Sequence, residues 1–309
     1  MNETPKPKRQ WLRFMLVPIL LLGIWIAWDV AKMKLRLRKQ QEAVVVVKDL
    51  GGILEDRIDK GGFPPPPEPF WLRVLMGPEA LPCIVGVWLN GPKVTDAEIE
   101  KLKGLTELRF VNLANTQVTD GGLKHLKGLA QLQRLSFYNT PITGLGLEDL
   151  GGLTQLESLY FNQCPVMDDA LKHAKRLTRL RCLILEDTHV TDAGLQYLAG
   201  LTQLEDLRLD KNQVSGPGLE HLKTLTKLGI LYLNNTPMTD DGLKYLKGMA
   251  QLHNLQLQNT QVTDAGLEHL TGLIQLEIAS FQHTKVTWKA TEKLKAALPR
   301  KWPERLIVN

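Results

Sequence analysis

The chain is 309 residues long, 43% hydrophobic and 23% charged, an ordinary balance for a globular protein, with a formal net charge of +5 at pH 7. That excess does not mark a nucleic-acid binder. Ten Lys or Arg against Glu3, Asp29 and Glu42 lie at or before Lys48, so the remainder is slightly acidic, whereas nucleic acid calls for a cationic patch on the folded domain.

Residues 1–10 form a polar, proline-containing tail, and Phe14 to Trp28 then run without a charge. Fifteen helical residues cover ~22 Å of a ~30 Å hydrocarbon core, so a transmembrane helix is expected over 11–31, with Trp11 and Trp28 at the interfaces and Arg13 snorkelling. A cleaved signal peptide is the competing reading, but Ala27-Trp-Asp-Val-Ala31 places an aspartate where cleavage wants a small residue. Lysines and arginines flank the run on both sides, so a single-pass position in the cell membrane is expected with its orientation open. Residues 32–62 read as a basic juxtamembrane helix ended by Gly51-Gly52 and a short strand from Ile53. The helix suits either lipid headgroups or plain solvent. Residues 63–69, with Pro64 to Pro67, form a linker or a proline-rich ligand, and 70–83 form an amphipathic capping helix.

From 84 to 298 one phrase recurs every 24 residues, with copies beginning at Val94, Val118, Ile142, Val166, Val190, Val214, Met238, Val262 and Val286. Between copies runs a second phrase, as in Leu180-x-x-Leu183-x-Leu185, the leucine-rich repeat signature at a period inside its range. In the unit from Leu180 to Thr202, Leu183 and Leu185 alternate with Ile184 in the rhythm of a strand buried on one face. Thr191 is expected to cap the following helix, with Asp192 adding favourable charge at its positive end. Leu195, Leu198 and Leu201 point inward, and Gly200 ends the helix. The fourth copy is the weakest, with Met167 and Ala174 replacing a threonine and an inward leucine. After Pro299, residues 299–309, with Trp302 and Leu306 to Val308, form a terminal cap over leucines that an open stack would expose.

The phrase V-T-D-A-G-L-x-x-L-x-G-L-T-x-L at this period resembles the bacterial leucine-rich repeat proteins abundant in planctomycetes. The W-L-R-F segment, basic helix, x-G-G turn and proline-containing spacer are similar to that family's layout. The resemblance implies an α/β solenoid, a right-handed horseshoe with a parallel sheet on the concave side and short α-helices on the convex side, preceded by one membrane helix. On function it is nearly silent. The repeats are also similar to those of F-box substrate receptors, but no F-box helical segment precedes them.

The three cysteines, Cys83, Cys164 and Cys182, lack metal-ligand spacing and read as unpaired thiols, which leaves the redox compartment open. His125, His173, His221 and His269 stand 48 residues apart, which places neighbours about 10 Å apart on alternate repeats, too far to share a zinc ion. Asp120, Asp192, Asp240 and Asp264 form a column of single carboxylates, short of the oxygens calcium needs, and read as helix caps. Neither column points to a cofactor or metal, and no residue set reads as catalytic.

A binding site is expected on the concave wall, where one residue per repeat faces out: Trp88, Asn112, Ser136, Tyr160, Ile184, Arg208, Tyr232, Gln256 and Ser280. Flanking columns add Phe110, Tyr138, Asn162, Glu186, Asp206, Asp210, Asn234 and Gln258. Tyr, Trp and Arg dominate interface energetics. Simple solvated strand faces explain the same residues. The expected role is a membrane-anchored scaffold that binds a protein or peptide, or a glycan, through this wall and lipid through its N-terminal anchor. The alternative is an envelope adhesion element working by self-association.

Overall fold

Leu183 is fully buried between partly exposed Cys182 and Ile184, and this alternation returns 24 residues on at Leu207, at Leu231 and at Leu255. Each step therefore yields a strand with one buried face. A computed structural model, which describes residues 10–56 and 84–298, joins these strands into one ten-stranded sheet whose order is the chain order. The strands are β1 (Ile53–Asp56), β2 (Ile84–Asn90), β3 (Phe110–Ala114), β4 (Arg134–Tyr138), β5 (Ser158–Asn162), β6 (Cys182–Ile184), β7 (Asp206–Arg208), β8 (Ile230–Tyr232), β9 (Asn254–Gln256) and β10 (Ile278–Ser280). From β2 onward every pairing is parallel and in register at 24 residues, so Trp88, Asn112, Ser136, Tyr160, Ile184, Arg208, Tyr232, Gln256 and Ser280 form one row.

The return segments on the other side are not uniformly α-helical, which corrects one expectation. Leu145–Gly152, Gly194–Leu198, Pro217–Thr224 and Gly266–Leu270 are 3₁₀-helices, while Asp96–Lys101, Asp168–Ala174 and Trp288–Ala297 are α-helical. A 3₁₀ turn rises about 2.0 Å per residue against about 1.5 Å for an α-helix, so a short return crosses the same distance with fewer residues. Leu195, Leu198 and Leu201 are fully buried there, in one continuous core with Leu183 and Leu185. In the weak fourth unit Met167 supplies no side-chain cap and is exposed.

Beyond the strands a second column takes a left-handed backbone, with φ near 50–56° at Asn115, Asn139, Gln163, Asp187, Lys211, Asn235, Asn259 and His283. One residue further lies a buried polar column, in which Thr236, Thr260 and Thr284 each donate a hydroxyl to the carbonyl three residues back. Asn212 replaces threonine in this column and is fully buried. Its amide nitrogen donates to the carbonyls of Leu185, Leu209 and Asp210, and its oxygen accepts from the Thr188 hydroxyl at 2.7 Å and the Val190 amide at 3.1 Å.

The aspartate column does something other than cap its own helix. Asp168 accepts from the Thr191 amide at 2.8 Å and its hydroxyl at 2.6 Å, both belonging to the next repeat. Asp96, Asp120, Asp192, Asp240 and Asp264 grip Thr119, Thr143, Ser215, Thr263 and Thr287 in the same way. Charge-assisted bonds of this kind are about twice as strong as neutral ones. Burial raises the Asp192 pKa, but bonds from Ser215, Gly218 and Gly216 outweigh it and hold the carboxyl below its ordinary value. At positions 144 and 216 the column carries glycine, with φ of 87° and 133°, so no carboxylate reaches Met167 or Thr239. These two seams divide the nine repeats into three clamped groups of three.

The N-terminal end is closed by a helix that the sequence reading assigned to lipid or solvent. Helix α1 (Gln10–Asp49) runs unbroken for 40 residues, and Ala43 and Val47 at its end are fully buried in the array's core, with Val44, Leu50 and Leu54 packed against it. Strand β1 then pairs antiparallel with β2, Leu54 opposite Val87. Gly104 lets α1 lie flush on the first repeat, because a Cβ there would stand 2.6 Å from the Lys39 carbonyl oxygen. Among the described residues no helix is long and apolar enough to cross a membrane. The side chains at 10–20, 22 and 23, which carry much of the expected span 11–31, lie outside the described residues. So do the tail before residue 10, the linker 63–69, the capping helix 70–83 with Cys83, and the terminal cap 299–309.

Candidate functional site

The register places Tyr160, Ile184, Arg208, Tyr232 and Gln256 on five adjacent strands, each about 4.8 Å from the next. All five are partly exposed, because the alternation that buries Leu183, Leu207 and Leu231 turns them outward. At the centre Arg208 donates two bonds to Asp206, at 3.1 and 2.9 Å, and its guanidinium lies 4.7 Å from the Tyr232 ring centre. The hydrogen bond to Asp206 is the main reason the Arg208 pKa rises. Asn254 donates to the Tyr232 hydroxyl at 3.3 Å and accepts from Gln256 at 2.7 Å. An unbroken polar chain thus runs from Asp206 to Gln256 across three strands, holding an arginine and a tyrosine in fixed positions on the open face.

Of the other expected residues, Glu186 sits at the edge of this group, bonded to Lys211 at 3.2 Å and Asn162 at 3.3 Å. Trp88, Phe110 and Asn112 are partly exposed but lie on β2 and β3, several strands away, where Phe110 packs under Arg134 at 5.4 Å. Tyr138 is exposed on β4.

Two expected binding residues are also tied into the framework. Asp210 is buried and its carboxylate accepts from the Asn234 amide at 2.9 Å; Asn234 in turn accepts from the Gln258 amide at 2.8 Å. The paired strands end at Arg208 and Tyr232, and beyond them the Asp210 and Asn234 side chains join backbone bonds such as that from the Lys211 amide to the Asn234 carbonyl in tying the repeats together. Ser280 is also buried.

Burial pushes the Asp210 pKa up, against the pull of the Asn234 bonds. A raised carboxylate pKa means the folded state bears a cost for the charge above that pKa, and the cost is relieved as pH falls through it. Asp210→Asn keeps the accepting oxygen without the charge. The variant should melt at a higher temperature than the parent at pH 7, with the difference shrinking as pH is lowered into the carboxylate range. Thermal melts across pH check this, and a lower melting temperature at pH 7 contradicts it.

Sequence reasoning missed several residues beside the row. Cys182 and Asn254 share the Asp206 column, one strand away on one side and two on the other. Burial, then the nearby Asp206 charge, pushes the Cys182 thiol up to about 11, so it stays protonated and weakly reactive at neutral pH. Along the adjoining lip Arg181 grips Glu205 of the next repeat with two bonds, at 3.0 and 2.8 Å. Gly229 leaves a gap in that lip, and the His253 ring leans towards it, donating from Nδ1 to the Gly229 carbonyl at 2.8 Å. Together they border a polar groove of 480 Å³. The signal for this lip was present as charges and a glycine at 24-residue spacing.

Cys164 and Cys182 are free thiols. Among the described residues no three His, Cys, Asp or Glu side chains come close enough together to hold a metal ion.

Comparison with known proteins places this geometry in context. A family model described as a leucine-rich repeat region matches residues 92–289. No match was found among curated protein sequences. Among solved structures, the chain is similar to internalin C2 of Listeria monocytogenes, with 26% identity and a TM-score of 0.50 over 65% of this chain and 80% of that one. It is similar in fold to another internalin of that organism, inlF, with 23% identity and a TM-score of 0.49 over 68% and 71% of the two chains. A plant peptide hormone receptor, RGFR1 in complex with RGF2, has 18% identity and a TM-score of 0.44 over 65% of this chain and 31% of the receptor.

Proposed function

Because the chain belongs to the leucine-rich repeat family, we propose that it is a binding protein whose open sheet face captures a protein or peptide partner, with α1 holding it at a membrane. The observation that carries the reading is the fixed Asp206–Arg208–Tyr232–Asn254–Gln256 chain in the middle of that face. Its arginine and aromatic ring are already ordered, so a partner loses little side-chain freedom on docking. Arginine and tyrosine in such a setting are the residue types that carry binding energy. The anchoring part is supported by exposed Leu21, Ile24, Trp25 and Trp28 on α1, followed by Lys32, Lys34 and Arg36. Lys32 stands 3.4 Å over the Trp28 ring, a pairing suited to a membrane interface.

A photo-crosslinker at Ile184 should capture the partner, and one at exposed Gln196 on the opposite side should not. Replacing Tyr160, Arg208 and Tyr232 together with alanine should weaken capture roughly 30-fold or more, about the loss from a single strong hot spot, without lowering the melting temperature of the array. Equal capture from both positions sinks the proposal. Capture of a second copy of this chain at Ile184 replaces it with self-association.

A further inference from the structure

Where α1 lies against the first repeat, the two enclose a groove of 800 Å³. Val45, exposed over 55% of its surface, and Val46 give it an apolar side. Its rim carries Arg38 and Lys39 from α1 and Lys101 and Lys103 from the first repeat, against Glu42 and Glu100. Glu42 is answered by Arg38 at 3.0 Å, Glu100 by Lys103 at 3.1 Å and Glu98, beside the rim, by Lys101 at 3.7 Å, so four cations face three nearby carboxylates and a surplus of positive charge remains. The Arg38–Glu42 and Lys103–Glu100 pairs are solvent-exposed, and such pairs contribute only about 0–1 kcal/mol, while the Lys101 ammonium is itself half-exposed, so the cations are available to a stronger anionic partner.

We infer that this groove is a docking site for the phosphate headgroups of anionic lipids, so that the first repeat, and not α1 alone, rests on the membrane surface. The inference rests on the membrane reading above. Charge and position both favour a lipid occupant. Arg38 lies seven helical steps beyond Ala31, the end of the expected span, a rise of about 10 Å, which brings the near end of the groove to the outer edge of a headgroup layer. Lys32, Lys34 and Arg36 on the same unbroken helix extend the cationic surface towards the bilayer. An apolar wall beside a cationic rim matches an amphiphile with an anionic head, whereas a soluble anion has no use for Val45. Gly104 makes the arrangement possible by letting α1 approach closely enough to bring both sets of cations to one opening.

The test uses the full chain with phosphatidylcholine vesicles, alone and mixed with phosphatidylglycerol. The parent should partition more strongly onto the mixed vesicles. Lys101→Gln with Lys103→Gln should reduce that advantage roughly 25-fold, about fivefold per lysine, while leaving partition onto the neutral vesicles unchanged. A paired control, Lys172→Gln with Lys223→Gln on distant repeats, should behave as the parent, and matching circular dichroism melts should show that all variants are folded. An anionic advantage unaltered by the change at 101 and 103 overturns the inference, since the cations of α1 then act alone or the groove holds a segment of this chain. Equal partition of the parent onto both vesicles overturns it while sparing the anchor. Failure to bind either vesicle sinks both. Displacement by inorganic phosphate, beyond that caused by chloride at equal ionic strength, would assign the groove to the free anion instead.

Discussion

Asn212→Leu should be the most damaging single substitution in the array, lowering stability by about 4 kcal/mol or more. The leucine matches the amide in bulk but removes every bond the side chain makes. The carbonyl of Leu209 and the amide of Val190 lose their partner, while the Asp210 carbonyl keeps the Asp187 amide, within a side-chain environment that has no solvent exposure. A buried polar group left unpaired costs about 1–3 kcal/mol, and the gain from burying an extra hydrocarbon offsets only part of that sum. Asn212→Thr should cost much less, about 1–2 kcal/mol. Threonine is what the column holds at 188, 236 and 260, where the hydroxyl reaches the carbonyl three residues back. Urea denaturation of the two variants separates the effects. Equal losses would mean that side-chain volume, and not hydrogen bonding, governs this position.

Gly216→Val should come close behind, at about 4 kcal/mol. Two independent penalties combine there. A φ of 133° is a region that a β-branched residue scarcely enters, and a Cβ would fall on the backbone of Gly242 in the next repeat. Gly200→Ala, at a position where a Cβ meets nothing within 4 Å, should be neutral. A valine variant at 216 that melts with the parent would show that the sixth and seventh repeats are not in contact there.

Much of this was legible before any coordinates. The buried strand leucines, the outward row from Trp88 to Gln256 and its 24-residue register follow from periodicity, because a parallel stack of equal units permits one alignment. Other features were hidden for definite physical reasons. Asp192 could be taken as a cap for its own helix because its true partners, the Ser215 amide and hydroxyl, lie 23 residues ahead. The D-D-G rhythm at 96, 120 and 144, repeated at 168, 192 and 216, was the clue. Asp210 shares a column with open-face residues, yet its strand has already ended, so its carboxylate turns to the neighbouring backbone. The closing role of α1 was obscured by the basic residues around it. Ala43 and Val47, four apart and fully buried, carry the apolar stripe that seats the helix on the first repeat.

The two glycine seams also bear on mechanics. If the ends of the coil are drawn apart, it should yield first at the joints that lack an aspartate clamp, after the third and sixth units. The Arg208 to Tyr232 contact straddles the second of these joints. Flexing there alters the spacing of Arg208 and Tyr232, so the proposed binding face would carry its compliance at its centre rather than at its ends.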